Sequence, residues 1–442
     1  MDFREKSWWL ETLPADLKAN EALESSEKAD VAIIGGGYTG LSTGYHLKLL
    51  EPKLDVRILE SEVCGFGASG RNGGFSMTLF GLTKGITKFR FGDDKAKAAQ
   101  LYMEEAVDYL HGIITANKLS CEYERNGYLL VATSPAQIKR LEHDFEIIDR
   151  WGLKGIERWD VKRLSKEFNT GYYRLGWFEP RCGILNPAKL AREMKRIAEK
   201  KGVIIYENSP VTGFEKKGDG RFLVRTEKGA IRCDYLVFAT NAYSLVFPQL
   251  KSMQAPAFTH IVLTEPLYRK QLASIGWKSR AGVEDARDFI HYYRLTADNR
   301  IAMGGGDVSL TFGANFNRDV NDKIFSHLEH HITEVFPQLS GIKITRRWGG
   351  PVSITVDMSP AIGYIGNDRK AIYSLGCMGH GVSMTSLNGR TIAEMICKMK
   401  TPRTELFFVG RKTIPWPPEP IKFGISQMVR GYMKLEDRLI YK

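Results

Sequence analysis

Four apolar positions in a row, Val31-Ala-Ile-Ile34, break into Gly35-Gly-Gly-Tyr-Thr-Gly40, and apolar residues then recur at helical spacing from about Leu41 to Leu50. A second short apolar run, Val56-Arg-Ile-Leu59, follows and closes on Glu60. Strand, glycine turn, helix and strand together have the length of a βαβ crossover, which predicts parallel strands near the start of the chain. Further along, the pattern predicts helices over 95–118, 136–150 and Leu190–Lys200, and strands over Tyr128–Ala132, Val203–Tyr206 and Tyr235–Ala239. Arg221–Thr226 and Ala230–Cys233 flank Glu-Lys-Gly and read as a hairpin. The region 250–340 is richer in strand patterns and aromatics, among them His291-Tyr-Tyr293 and Arg300–Met303 before Gly304-Gly-Gly306. Ala371–Ser374 then meets a second glycine cluster, Gly376–Gly381, and a helix to about Lys398.

Glycine turns after strands thus stand at both ends of the chain. They predict one nucleotide-binding domain assembled from 25–94, 180–250 and 340–400, with a substrate domain of 95–179 and 251–339 inserted into it. A Pro-rich stretch, Pro415-Trp-Pro-Pro-Glu-Pro420, sets off a terminal segment, so 401–442 is read as linker plus helix. The expected fold class is α/β: a Rossmann-like domain of discontinuous segments carrying an α+β domain with an antiparallel sheet.

Length and composition narrow the function classes. With 442 residues and 43% hydrophobic positions the chain can bury a large core, and its apolar runs fall short of the ~20 residues that span a bilayer. Charged residues interrupt the first 20 positions, so no secretory signal is expected, and six cysteines without a Cys-x-x-Cys pair predict a reducing, cytoplasmic setting. The net charge of +12 favours anionic partners, but the basic residues are dispersed and no nucleic-acid motif accompanies them, so no nucleic acid is expected.

The first glycine turn carries the chemistry. Gly35 permits the turn, Gly37 removes a side chain where backbone must approach a diphosphate, and Gly40 lets the helix pack on the strand. The helix start at Tyr38 and Thr39 then points unpaired N–H groups at the phosphates. Glu60 follows 20 residues after Gly40, where a carboxylate accepts from both ribose hydroxyls and would repel a 2′-phosphate. The loop Gly65-Phe-Gly-Ala-Ser-Gly-Arg-Asn-Gly-Gly74, with one fixed cation, suits backbone amides running beside a flat ring, which favours flavin over nicotinamide.

Four segments together, Ile33–Leu41, Gly67–Gly74, Ala239–Tyr243 and Gly376–Val382, resemble the D-amino-acid oxidase superfamily of FAD-dependent oxidoreductases, and most of all its gamma-glutamylputrescine oxidase branch beside glycine and sarcosine oxidases. The resemblance runs from about residue 25 to 400. It implies FAD extended across the first domain, held by Gly35 to Gly40 at the diphosphate and Glu60 at the adenosine ribose. It also implies Ser69, Arg71, Asn72, Gly73 and Gly74 along the ribityl and ring region, and Val211 near the adenine. Thr240, Asn241 and Gly349 would close the site, with Gly379, His380, Gly381 and Val382 at the pyrimidine edge. No histidine stands at Arg71-Asn72, as it does in some covalent cases, so noncovalent FAD is expected.

Catalysis in this group implies hydride transfer from the carbon beside an amine nitrogen to the flavin, with oxygen as acceptor giving hydrogen peroxide. His380 is a candidate donor beside the ring, and Tyr292, Tyr293, Trp348 and Phe75 are candidate walls. Amino-acid oxidases of the superfamily often carry an Arg-Pro pair before Pro-x-Ile-Gly. Here Gly350-Pro351 precedes Pro360-Ala-Ile-Gly363, so an α-carboxylate would need another anchor, Arg294 or Arg300. The departure favours a primary or secondary amine, or an amino-acid derivative, as substrate.

Two further patterns bear on partners. His327, His330 and His331 share a helix but form no His-Glu-x-x-His motif, so a solvated helix and no metal are expected. Over 421–442 apolar residues recur at helical spacing, while Arg430, Lys434, Arg438 and Lys442 recur every four residues on another face. Such a basic amphipathic helix either docks on its own protein with a charged face exposed or lies on anionic lipid, and the second placement gives another reading, a membrane-surface dehydrogenase feeding quinone. A third reading is a non-catalytic flavin-binding subunit.

Overall fold

The computed structural model describes residues 2–440. Among them, two large β-sheets of eight and nine strands carry the fold. In the first, Ser26–Ile34 lies between Val56–Leu59 and Ala230–Phe238, parallel to both, and Ile204–Tyr206 continues parallel beyond Val56–Leu59. On the far side Asp368–Leu375 adds a parallel strand and Ala361–Ile365 an antiparallel edge. The hairpin Val211–Lys216 and Phe222–Thr226 grows antiparallel from the first half of Ala230–Phe238.

Burial explains the apolar run that opens this sheet. Val31 and Ile33 enter one core with Leu41 and Leu47 of the helix Tyr38–Leu50, while Ala32 and Ile34 enter another on the opposite face with Leu236 and Phe238. A parallel strand covered on both faces has no polar side to show, so it reads as continuous rather than alternating.

The second sheet is antiparallel except where Gly282–Asp285 runs parallel to Tyr128–Ala132. Its longest pairing joins Ala255–Thr264 to Ile344–Ile354. The helix Asp322–Val335 covers one face, placing Phe325, Leu328 and Ile332 against Val262, Tyr293 and Met303. The fold class is therefore the mixed α/β arrangement expected, with parallel and antiparallel halves.

Two elements pack across the expected division of the chain. The helix Asp93–Ala116, placed by sequence in the inserted domain, buries Tyr102, Met103, Ala106 and Leu110 in the core of the first sheet. The strand Ile344–Ile354, placed by sequence in the nucleotide domain, is part of the second sheet. Both assignments followed chain continuity, whereas packing recruits elements wherever their apolar faces match.

The C-terminal region lies on the body of the protein, the first of the two placements its pattern allows. The Pro-rich stretch is pinned to the body, with Trp416 donating its backbone N–H to the Ser252 carbonyl at 2.6 Å and its indole N–H to the Ile354 carbonyl at 3.1 Å. The helix Ile421–Leu439 then docks through a mixed side, with Ile425, Val429 and Met433 turned to the cavity beside charged contacts. Arg430 and Lys434 both bind Asp307, and the Asp437 carboxylate accepts from the backbone N–H groups of Asp288 and Phe289. Two of the four expected lipid-facing cations are thus committed to this chain, and Lys442 lies outside the described residues. Met428, Leu435 and Leu439 point outward instead, each more than half exposed. No helix among the described residues is long and apolar enough to cross a membrane.

Candidate functional site

A cavity of about 1,120 Å³ runs from the glycine turn of the first sheet to the open face of the second. It exceeds the roughly 300–1,000 Å³ usual for small-molecule sites, so it has room for an extended ligand and a second, smaller one.

At one end the glycine turn builds a cradle for a diphosphate. Gly35 sits at φ +106°, a backbone open to glycine and strained for other residues, and a Cβ there would lie 2.7 Å from the Ala239 carbonyl oxygen. A Cβ on Gly40 would stand 2.0 Å from the Gly35 carbonyl oxygen, so the helix can start this close to the strand only with glycine there. Gly37 caps the helix with no side chain of its own, and beyond the Tyr38 N–H, which the Ser69 hydroxyl meets, the next amides have no side-chain partner among the described residues. Those N–H groups and the positive end of the helix dipole point toward the cavity and suit an anion.

Glu60, at the end of the second strand, is buried. Its carboxylate accepts from the Gly36 N–H at 2.6 Å and the Glu62 N–H at 3.1 Å. Burial raises its pKa, and the two N–H bonds pull the other way. The loop after it is folded by its own polar groups. The Ser69 hydroxyl accepts from the Tyr38 N–H at 3.1 Å, and Asn72 donates to the Ala68 carbonyl while accepting from the Gly74 N–H. Asn72 therefore shapes the loop.

Arg71 is the notable cation. It is 3% exposed, its Nε donates to the Phe66 carbonyl at 2.8 Å, and it lines the cavity with no ion-pair partner among the described residues. A buried guanidinium without a carboxylate is costly unless an anionic ligand faces it. Together with the uncapped helix start, this fits a diphosphate-bearing cofactor.

Most expected cofactor positions reach the cavity: Gly35, Gly37, Tyr38, Thr39, Glu60 and Ser69 do so at the first end. Arg71, Asn72, Gly73, Val211, Thr240 and Asn241 follow along its length, and Gly379, His380, Gly381 and Val382 close it at the second glycine cluster. Gly40 and Gly74 do not line it, being turned inward against the Gly35 and Leu185 carbonyls, and Gly349 lies against Asp319 instead.

The expected substrate-side residues divide more sharply. Tyr292 and Phe75 line the cavity with their rings edge to face at 5.8 Å. Trp348 does not; its indole N–H donates to the Arg71 carbonyl at 2.9 Å, so it props the loop from behind. Tyr293 is core, bonded to the Tyr173 hydroxyl. Arg294 is fully buried away from the cavity, bonded to the Leu185 and Leu295 carbonyls and stacked 5.2 Å over Trp9, and burial pushes its pKa down to about 10. Arg300 is held by Asp298 and the Thr264 carbonyl. His380 donates through Nδ1 to the Gly81 carbonyl at 3.1 Å, and burial lowers its pKa to about 4, so it faces the cavity as a neutral ring.

The acidic side of the cavity is absent from the sequence expectations. Glu284 and Asp307 line it, and Asp285 lies just behind. The signal in the sequence is Val283-Glu-Asp285, two carboxylates inside a strand otherwise buried. Of the three helix histidines, His327 and His330 are exposed as expected, but His331 is not. His331 is 1% exposed and stacks on His291 at 3.9 Å, and His291 bonds both Asp285 and His327 at 2.9 Å. Asp285, His291 and His331 bring their ligand atoms within 4.8 Å of one another, but Arg287 already occupies the Asp285 carboxylate.

Comparison with known proteins decides the family. Residues 30–395 match the DAO family, described as FAD dependent oxidoreductase. The chain belongs to that family. It is 33% identical over 425 residues to gamma-glutamylputrescine oxidoreductase of Escherichia coli K12, covering 95% of each chain. It is 31% identical over 382 residues to probable oxidoreductase OrdL of Haemophilus influenzae, covering 85% of this chain and 84% of that one. The fold matches glycine oxidase from Geobacillus kaustophilus with a TM-score of 0.73 at 17% identity, over 88% of this chain and 99% of that one. This DAO-family chain is thus an FAD-dependent oxidoreductase acting on amines or amino acids.

Proposed function

We propose that this DAO-family protein oxidises a primary or secondary amine, or an amino-acid derivative bearing one, to an imine that water hydrolyses, with oxygen as acceptor and hydrogen peroxide as product. When bound, FAD supplies the acceptor for the hydride that leaves the carbon beside nitrogen. In this reading the uncapped helix start and Arg71 hold the cofactor's diphosphate, Glu60 its ribose, and the loop through Gly73 lies along the ring, all noncovalently.

One observation carries the choice of an amine over a simple α-amino acid. Every arginine on the second-sheet side of the cavity is already held by an aspartate: Arg140 by Asp288, Arg287 by Asp285 and Arg430 by Asp307. Among the described residues no lysine lines the cavity, and Gly350 stands where an arginine would. A free carboxylate entering beside Tyr292 therefore meets no unpaired cation, whereas a cationic amine meets Glu284, a carboxylate with no ion-pair partner among the described residues. The E. coli relative is named for a putrescine derivative, which supports the same class. Anaerobic mixing of the yellow protein with a panel of amines and amino acids tests the reading. Bleaching of the flavin band by amines is expected, and a band left intact by every amine overturns it.

A second reading rests on the outward row Met428, Leu435 and Leu439. With it the protein works at a membrane face and passes electrons to quinone rather than oxygen. Liposome binding with and without residues 421–442, set beside peroxide yield, separates the two.

A further inference from the structure

Glu284 stands apart from the other carboxylates of the cavity. It lies on the strand Gly282–Asp285, opposite Tyr292 in the antiparallel register and beside Leu130 in the parallel one. Side chains alternate along a strand, so Asp285 turns to the opposite face, where it binds His291 and Arg287, and Glu284 turns to the cavity. Asp307 and Asp288, also on the cavity wall, are each paired with an arginine. Glu284 has no such partner. It is 4% exposed, and its carboxyl accepts a single hydrogen bond, from the Tyr128 hydroxyl at 2.8 Å. Among the described residues no cation approaches it within ion-pair distance.

Its surroundings place it at the reacting end. Tyr292, directly across the strand pair, reaches to where a Cβ on Gly73 would meet its ring at 2.9 Å, and Gly73 belongs to the loop that lines the ring region in the proposed function. Phe75 packs against both Tyr292 and Gly282. Glu284 therefore sits in an aromatic enclosure beside that loop, with one hydrogen bond and no counter-charge.

Resting on the amine reading above, we propose that Glu284 receives the protonated amine of the substrate and removes one of its protons, so that the neutral amine is the species oxidised. The step balances simply. An N–H bond of R–CH2–NH3+ breaks and an O–H bond forms on Glu284, leaving R–CH2–NH2 and a neutral carboxylic acid, with no change in oxidation state. Bound FAD would supply the oxidant that takes the C–H electron pair with its hydrogen as hydride, and the freed nitrogen lone pair would close the C=N bond. An ammonium has no lone pair to do this, which is why a proton acceptor is needed at this point. The burial that leaves Glu284 unpaired also raises its pKa to about 7, with Asp285 adding to the rise and the Tyr128 hydrogen bond opposing it. A carboxylate of that basicity is matched to its task near neutral pH.

The test follows flavin bleaching in the holoenzyme under anaerobic rapid mixing, from pH 5.5 to 10.5, with n-butylamine, 1,4-diaminobutane and glycine as probes. In the wild type the rate should fall on the acid side of about pH 7. In Glu284→Gln the rate at pH 7 should drop on the order of 10²-fold or more. That variant should lose the limb near 7 and climb about tenfold per pH unit toward the amine's own pKa, roughly 10.4 for an alkylammonium. Tyr128→Phe removes the bond that favours the carboxylate, so its acid limb should move to higher pH. Amines that bleach wild type and Glu284→Gln alike at pH 7, or an acid limb unmoved in Tyr128→Phe, overturn the assignment while leaving amine oxidation standing. A wild-type flavin that no amine bleaches at any pH overturns amine oxidation itself.

Discussion

Asp307 accepts from both Nε and Nη2 of Arg430, at 2.7 and 2.6 Å, and so fastens the C-terminal helix across the edge of the cavity. Lys434 adds a third charged contact to the same carboxylate at 2.8 Å. Ile425, Val429 and Met433 of that helix face the cavity, so releasing it opens a wall. Asp307→Asn should lower stability by about 1.5–3 kcal/mol, the range for hydrogen bonds to charged groups. It should also raise amide exchange over 421–439 more than in the two sheets. Unchanged exchange in that helix would show that its apolar contacts alone hold it.

Gly40 and Gly213 offer a matched contrast. A methyl on Gly40 meets the Gly35 carbonyl oxygen at 2.0 Å, a backbone atom that can retreat only by distorting the turn, whereas a methyl on Gly213 meets nothing within 4 Å. Gly40→Ala should cost about 1–3 kcal/mol or more and weaken flavin binding, as overpacking does. Gly213→Ala should stay within about 0.5 kcal/mol of the parent. Thermal melts with and without added FAD check both.

Acid should destabilise the fold through its buried histidines. His331 and His380 are held neutral, with pKa values pushed down to about 4, by burial in both, by His291 beside His331 and by Lys84 near His380. The unfolded chain titrates near 6.5, so between about 6.5 and 4 it binds more protons than the folded one. Their contribution is complete above about 6.5 and is lost as pH falls through that window, at up to about 1.4 kcal/mol per unit for each group. A melting temperature flat from pH 7 to 4.5 would contradict this, and His331→Asn should soften the slope.

The cofactor should come away intact on denaturation. Acid precipitation is expected to leave a yellow supernatant and a colourless pellet, and a coloured pellet would show a covalent link. Glu60→Gln puts a donor where the carboxylate now accepts from the Gly36 and Glu62 N–H groups. Flavin affinity should fall roughly 10- to 100-fold, consistent with about 1.5–3 kcal/mol for such bonds, as read by fluorescence titration.

The sequence by itself determined the glycine-turn end of the cavity. Val31–Ile34, Gly35–Gly40 and Glu60 lie within about 30 residues, and their turn geometry, dipole and burial are local consequences of residue type and spacing. It did not determine which polar side chains face the cavity on the other side. Arg294 and Tyr292 are two residues apart on one strand and look equally suited to a substrate, yet one binds the Leu185 carbonyl in the core and the other meets the ligand space. Glu284 and Asp285 are adjacent, and strand pairing alone sends the first to the cavity and the second to the histidines. Only the tertiary structure decided these, because a sheet assembled from distant segments fixes register and facing through contacts that no short stretch of chain contains.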